Sequence, residues 1–275
     1  MDPLSLVLQT FGVRADVFFT GNLCNLQDFS EESGQRGHLH ILKSGALDLI
    51  DKRGKRLRIE EPTVIFFPRG EQHRFIPDAE SGADLVCATL EYAKISTSPI
   101  AKALPSHLLL PMKAYPKFPV ICDALFAEAF SEEYGRITAI NRWLDLFLIE
   151  ILRTCLQNNL ITTGLMAGLA HPKLAKAMAA IHTEPAKHWT LDSLAAEAFM
   201  SRAKFAASFK DVIGQTPASY LLDWRMTLAR SMLKKGKPVN EVAEAIGYEN
   251  SSAMARVFKK VVGVSPKQFQ LRGDQ

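Results

Sequence analysis

The sequence predicts an α+β chain: a small antiparallel β-barrel with a helical packing or dimerisation segment, then an all-α module written twice. Three observations predict this. The last hundred or so residues hold one helical unit repeated at an offset of 48 residues before an internal turn and 49 after it. The first ninety or so hold short apolar or alternating runs between regular turn signals. Charge also divides: residues 1–171 carry 17 Lys/Arg against 20 Asp/Glu, a net of −3, whereas residues 172–275 carry 16 against 9, a net of +7. The positive charge therefore sits on the duplicated unit, where a polyanionic ligand needs it.

At 275 residues, 47% hydrophobic and 23% charged, the chain reads as a globular protein of two domains, placed at 1–165 and 172–272. Asp2 and Pro3 stand where a secretory signal has its basic residues, and no clean apolar stretch follows. The most apolar long segment, Ile137 to Leu156, is interrupted by Asn141, Arg142, Asp145, Glu150 and Arg153, which excludes a simple membrane span. Four cysteines without a CxxC pair suggest neither a disulfide framework nor a zinc finger. These features predict a cytoplasmic protein.

The barrel is read from Pro3 to Glu91. His38–Leu42 runs to Gly45, Ala46–Ile50 alternates into the turn Asp51-Lys52-Arg53-Gly54, Val64–Phe67 ends at Pro68-Arg69-Gly70, and Leu85–Leu90 follows. Five prolines between Ile95 and Pro119 mark a connecting segment. Two helices come next. Phe118–Glu132 places Ile121, Leu125 and Ala129 on one face. Ile140, Trp143, Leu144, Phe147, Leu148, Ile151, Leu152 and Cys155 form a wide stripe on the second. A stripe this apolar needs cover, either from the chain itself or from a second subunit. Asn158 to Pro172 has weak periodicity and reads as the linker.

In the duplicated unit, Leu191, Leu194, Ala195, a turn at Phe199-Met200-Ser201, Phe205, Phe209, Gly214, Pro217 and Tyr220 match Val239, Val242, Ala243, a turn at Gly247-Tyr248, Met254, Phe258, Gly263, Pro266 and Phe269. Two short amphipathic helices joined by a bend form a helix-turn-helix. Thr216-Pro217 and Ser265-Pro266 each put a capping hydroxyl before a proline at the first helical position. A helix from Pro217 to Lys235, about 28 Å long at 1.5 Å per residue, links the copies and stops at Gly236. In the second helix of each copy, Phe205, Phe209 and Val212, and Met254, Phe258 and Val261, are expected inside. That leaves Arg202, Ala203, Ala206, Ala207 and Lys210 in one copy, and Ser251, Ser252, Ala255, Arg256 and Lys259 in the other, facing a groove. Arginine grips guanine O6 and N7 bidentately, whereas alanine at most touches a thymine methyl. Arg256 can therefore serve as a base reader or as a phosphate clamp. Arg202 and Lys204 are expected to anchor the first helix to the backbone.

Trp189-Thr190-Leu191, Ala195, Met200-Ser201-Arg202, Phe205, Phe209-Lys210, Gly214, Thr216-Pro217, Tyr220-Leu221, Arg225 and Ala229 resemble the first half of an AraC-type DNA-binding domain. Val242-Ala243, Gly247-Tyr248-Glu249, Phe258-Lys259-Lys260, Gly263-Val264-Ser265-Pro266 and Phe269 resemble its second half. The resemblance spans about Pro172 to Leu271. It implies a transcription regulator, with double-stranded promoter DNA, RNA polymerase and a second copy of the chain as partners. The three alanines of the first recognition helix depart from the family, which commonly has longer polar or aromatic readers there.

His38-x-His40 and Pro68-Arg69-Gly70-x-x-His73 resemble the two histidine motifs of a cupin barrel, which implies a divalent metal at His38, His40 and His73. Lys43-Ser44-Gly45 stands where a metal cupin has its glutamate, so the histidines read equally as hydrogen-bonded core or ligand contacts. Cys24, in a polar loop, and Cys87, mid-strand, are the candidate redox thiols, and the Cys87 strand resembles that of oxidant-responsive cupin-bearing AraC-type regulators. Cys122 and Cys155 read as small core residues. The expected effector is thus a small molecule or an oxidant. The alternative is a metal-dependent cupin enzyme fused to a DNA-binding module.

Overall fold

A computed structural model describes residues 3–29, 36–92, 98–158, 160–161 and 163–272. The chain divides into two compact units, Phe11–Thr162 and a second made of Met1–Thr10 with Thr163–Gln275. The first surprise is at the start. Pro3–Phe11 is a helix, α1, and not the strand expected from Pro3 onward. Leu4, Val7 and Leu8 recur at the three-and-four spacing of a helix, and Val7 is fully buried. Ile95 lies outside the described residues.

Among the described residues, the Phe11–Thr162 unit holds nine strands that form a barrel. They are β1 (Val13–Leu23), β2 (Gln27–Phe29), β3 (Arg36–Gly45), β4 (Leu47–Asp51), β5 (Arg56–Ile59), β6 (Thr63–Phe67), β7 (His73–Pro77), β8 (Ala83–Tyr92) and β9 (Leu108–Pro111). The order β1-β8-β3-β6-β9 makes one antiparallel sheet, and β2-β7-β4-β5 makes the other. Leu42, Ile65, Phe67, Leu85 and Cys87 from the first interdigitate with Phe29, Leu47, Leu49, Ile59 and Phe75 from the second. β6 is buried at every position, and β8 at most. Both faces of these strands are covered, so they read as near-continuous apolar runs.

The proline-rich stretch holds more than a connection. After α2 (Pro99–Ala103), β9 adds to the free side of β6, pairing Leu108 with Phe66 and Pro111 with Thr63. It is four residues long and ends in proline, which suits only an edge strand.

Helices α3 (Lys117–Ala129) and α4 (Arg136–Gln157) follow. The apolar stripe of α4 is covered within the chain: Ile140, Leu144, Phe147, Leu148, Ile151, Leu152 and Cys155 are buried, and α4 packs on α3 and β1. Its polar interruptions are explained too. Asp145 Oδ1 accepts from the Ala15 N–H at 3.2 Å, and Asn141 Oδ1 accepts from the Val17 N–H at 2.9 Å. The side chains of α4 thus satisfy the donors on the open edge of β1 and block further strand pairing there. Glu150, nearly buried, is paired with Lys117 and Arg153. Among the described residues no helix is long and apolar enough to cross a membrane.

The second unit contains α5 (Gly164–Ala170), α6 (Leu174–Thr183), α7 (Leu191–Glu197), α8 (Arg202–Ile213), α9 (Pro217–Lys234), α10 (Val239–Ala245), α11 (Ser251–Val262) and α12 (Pro266–Arg272). Part of the expected linker is therefore structured. Helix α5 packs on α6 and α8. Gly168 makes this possible, because a Cβ there would stand 2.0 Å from Ile213 Cδ1 and 2.5 Å from the Met178 sulfur.

Candidate functional site

Each helix-turn-helix is set by local chemistry. Thr190 and Ser193 form a reciprocal capping box that starts α7. Asn250 Oδ1 accepts from the Ala253 N–H at 2.8 Å and starts α11. Thr216 and Ser265 cap α9 and α12 as their Thr-Pro and Ser-Pro pairs predict, accepting from Ser219 and Gln268 N–H at 3.2 Å each. The inner row of each recognition helix is Phe205, Phe209 and Ile213 in α8, and Met254, Phe258 and Val262 in α11. Val212 and Val261 were expected inside, but Val212 is only half-buried and Val261 is 37% exposed. The cause is tertiary: the close approach at Gly168 draws Ile213 inward, and Val262 packs into the cluster of Met226, Leu233 and Val242.

The outward faces match expectation in exposure. Arg202, Ala203, Lys204, Ala207 and Lys210 are exposed on α8, with Ala206 half-buried beside them. On α11, Ser252, Arg256 and Lys259 are exposed, and Ser251 and Ala255 are half-buried. Arg202 pairs with Asp192 at 3.1 Å, but both are open to solvent, so the pair contributes little and leaves Arg202 able to exchange partners. Among the described residues, Lys204, Lys210, Arg256 and Lys259 form no ion pair.

A clamp 40 residues apart in sequence joins the two copies. Arg225 on α9 donates from Nε to the Pro185 carbonyl at 2.7 Å and from Nη2 to the Lys187 carbonyl at 3.0 Å. Its guanidinium lies 5.9 Å from the centre of the Tyr248 ring in the second turn. Gly247, at φ 79, rests on the same loop, and a Cβ there would be 2.3 Å from the Ala186 oxygen. Arg225 entered the sequence reading only through the family pattern, and nothing local in the sequence reveals the clamp.

In the barrel, His38 and His40 on β3 meet His73 at the start of β7, all three buried, with donor nitrogens within 4.8 Å of one another. His73 Nδ1 lies 2.7 Å from the Glu71 carbonyl and donates to it, which turns its Nε2 lone pair toward His40 Nε2 at 2.8 Å. His40 then donates from Nε2, and its buried Nδ1 has no hydrogen-bond partner. Burial holds His40 well below the ordinary imidazole range, reinforced by His73 and His38, and burial brings His73 down to about 3. Phe67 stacks on His73 at 3.8 Å and Phe29 at 5.0 Å, while Phe18 stands edge-on to His38 and His40. None of these aromatic walls was singled out from the sequence. Three converging imidazoles and an unused buried nitrogen on His40 fit a divalent ion that favours nitrogen ligands.

The two cysteines are not brought together. Cys87 faces His40 across the β3–β8 ladder, buried, and burial pushes its thiol far up. Cys24 is exposed, its thiol 2.9 Å from Asn22 Oδ1. Leu23 pairs with Ala83, four residues from Cys87, so about 13 Å of strand separates the two positions. A disulfide between them requires β1 to move.

The cupin family matches residues 2–157, and the helix-turn-helix domain matches 194–272. The chain belongs to the AraC-type transcriptional regulators with an amino-terminal cupin. Similar family members include the HTH-type transcriptional regulator AlkR of Acinetobacter baylyi, 26% identical over 89% of this chain and 83% of the relative. The RCS-specific HTH-type transcriptional activator RclR of Escherichia coli is 27% identical over 85% and 84%. A putative AraC-like transcription regulator of Streptomyces antibioticus is 38% identical over 45% and 41%. Among solved structures, the DNA-binding domain of AdpA in complex with a target DNA is 27% identical, covering 37% of this chain and 93% of that one at a TM-score of 0.35. The AraC-type module makes this a DNA-binding transcriptional regulator.

Proposed function

We propose that this regulator is sequence-specific for promoter DNA, that α11 reads bases while α8 anchors the backbone, and that the barrel receives a small-molecule or oxidant signal. The observation that carries the division is the unequal outward faces: α11 presents Arg256 between small residues, whereas α8 presents Ala203, Ala206 and Ala207 flanked by Arg202, Lys204 and Lys210. With a cognate duplex found by footprinting, Arg256→Ala should lower discrimination against a scrambled duplex about ten- to hundredfold, the worth of one bidentate guanine contact. Lys210→Ala should weaken both duplexes alike and reduce the salt slope by about one. Equal weakening of both duplexes by Arg256→Ala would reassign that side chain to phosphate.

Two chains acting together would present four recognition helices, and RNA polymerase is the expected recipient of the output. The α4 stripe is covered within the chain, so pairing through this helix would use its other face, where Ile137 and Leu146 are exposed. The names of the relatives, all regulators, favour this reading over a cupin enzyme tethered to DNA.

On the signal side, His38, His40 and His73 would hold a divalent metal, which supplies a cross-link between β3 and β7 and a Lewis-acid centre. Cys24, the accessible thiol, would be the oxidant target, through a sulfenic acid in place of a disulfide with Cys87. A promoter-response assay tests the thiol, and metal analysis of the purified chain tests the histidines. Cys24→Ser should abolish the response to oxidant, and His73→Gln should abolish metal retention measured on the purified chain. A Cys24→Ser chain with the full oxidant response removes the thiol from the mechanism.

A further inference from the structure

The turn of the first helix-turn-helix carries an anomaly absent from the second. Both turns close in the same way: Phe199 and Met200 donate to the carbonyls of Ala196 and Ala195, and Gly247 and Tyr248 donate to those of Glu244 and Ala243. This is the double bond of a Schellman ending, whose left-handed residue is normally glycine. The second copy obeys, with Gly247 at φ 79. The first copy has Phe199 at φ 52, the sole non-glycine residue with positive φ among those described. An L residue with a bulky side chain is strained there, and such strain persists where it has a use.

Packing does not supply that use. The Phe199 ring is 72% exposed and buries little in the fold. It is held instead from one side by a cation, with the Lys176 ammonium 4.4 Å from the ring centre. The other ring face is open. Glycine would relieve the strain and expose less apolar surface, so folding alone favours glycine.

Position indicates what the open face meets. Phe199 lies three residues before Arg202, the first residue of α8, and a recognition helix brings its amino-terminal end to the DNA. Lys176 on the ring and Arg202 three residues along the chain supply cations for neighbouring phosphates. We infer that Phe199 and Lys176 form a contact for the DNA backbone, the ring lying on a deoxyribose and the ammonium on an adjacent phosphate. The contact rests on the DNA-binding reading and extends it to a side chain outside the recognition helix. It also fits an alanine-rich α8, because a helix with few base contacts depends more on backbone contacts for its register.

The test uses the full chain and a mixed-sequence 30-base-pair duplex at graded salt, with thermal unfolding measured in parallel. Phe199→Gly should raise the melting temperature by a few degrees yet weaken duplex binding about fivefold, the worth of roughly 40 Å² of apolar surface withdrawn from water. Phe199→Ala keeps the strain and should lose binding equally without the gain in melting temperature. That separates loss of the ring from added flexibility. Phe199→Tyr should bind as the parent does. Lys176→Gln should lower the slope of log Kd against log salt by about one. Parental binding by Phe199→Gly overturns the inference, as does a fall in its melting temperature, which would mark the ring as structural. Unchanged duplex binding with lost promoter activation also overturns it, and assigns the ring to a protein partner. A parent chain that binds no duplex at all would instead defeat the DNA-binding reading.

Discussion

Gly247→Ala should lower the melting temperature of the helical unit by roughly 10 °C, the shift expected for about 3 kcal/mol in a domain of this size. Two costs combine. At φ 79 any L residue is strained by about 1–2 kcal/mol. The new methyl would also stand 2.3 Å from the Ala186 oxygen and 2.8 Å from the Ala186 carbonyl carbon and Cα. Those are backbone atoms, and the loop cannot retreat freely because Arg225 holds the carbonyls of Pro185 and Lys187 on either side. Overpacking of this kind typically costs about 1–3 kcal/mol. Gly236→Ala is the control. Its φ is 76, but a Cβ there has nothing within 4 Å, so only the conformational cost applies. If both substitutions lower the melting temperature equally, the approach to Ala186 carries no weight. The same comparison made on DNA affinity asks whether that loop sets the spacing of the two readers.

Acid should destabilise the helical unit through His182, by about 2 kcal/mol between pH 6.5 and 5 and roughly 3 kcal/mol by pH 4. His182 is buried, stacked on Trp224 at 3.8 Å, with Nε2 2.5 Å from the Tyr220 hydroxyl. Burial pushes its titration down to about 4, against about 6.5 in an unfolded chain. Well above pH 6.5 both states are neutral and the full stability is present. As pH falls from there, the unfolded state takes up a proton that the folded state refuses, and stability falls until the folded pKa is reached. Urea unfolding of the full chain at half-unit pH steps measures the slope. His182→Phe should cost stability at pH 7.5, because it strands the Tyr220 hydroxyl, yet flatten the decline between pH 6.5 and 5. A variant with the parental slope would show that His182 does not carry the effect. Comparing two full chains cancels the buried histidines of the barrel.

The legible parts of this protein are those whose causes are local. Capping hydroxyls before Pro217 and Pro266 announced two helix starts, and the repeat announced both turns. Strands β3, β4 and β6 were marked by their turn residues. What escaped was fixed by partners distant in sequence. Strand β9 exists because β6 offers an edge, and its four residues lack a pattern of their own. Helix α5 sits in a glycine-containing stretch that looks like linker until Ile213 and Met178 close on Gly168. Helix α1 was lost by reading a short apolar run as strand, although its spacing is helical. At the candidate site, the outward faces of α8 and α11 were legible because helical periodicity fixes them. The single-residue errors at Val212 and Val261 arose where neighbours turned the last step of the row. The histidine motifs were visible, but their meeting depends on two sheets facing each other, and the ring walls of Phe29 and Phe67 follow from that alone.

The Arg225 clamp has a consequence for the grammar of the promoters this regulator can use. Two helix-turn-helix units tied to one loop would act as a single ruler. If both units contact DNA, an extra base pair between their contacts turns the second groove by about 35° about the DNA axis. The duplex must twist to compensate, or one helix must let go. On the proposed division of labour, the expected result is that lengthening the gap between the two contacts by one base pair weakens binding more than most single base changes beneath α8.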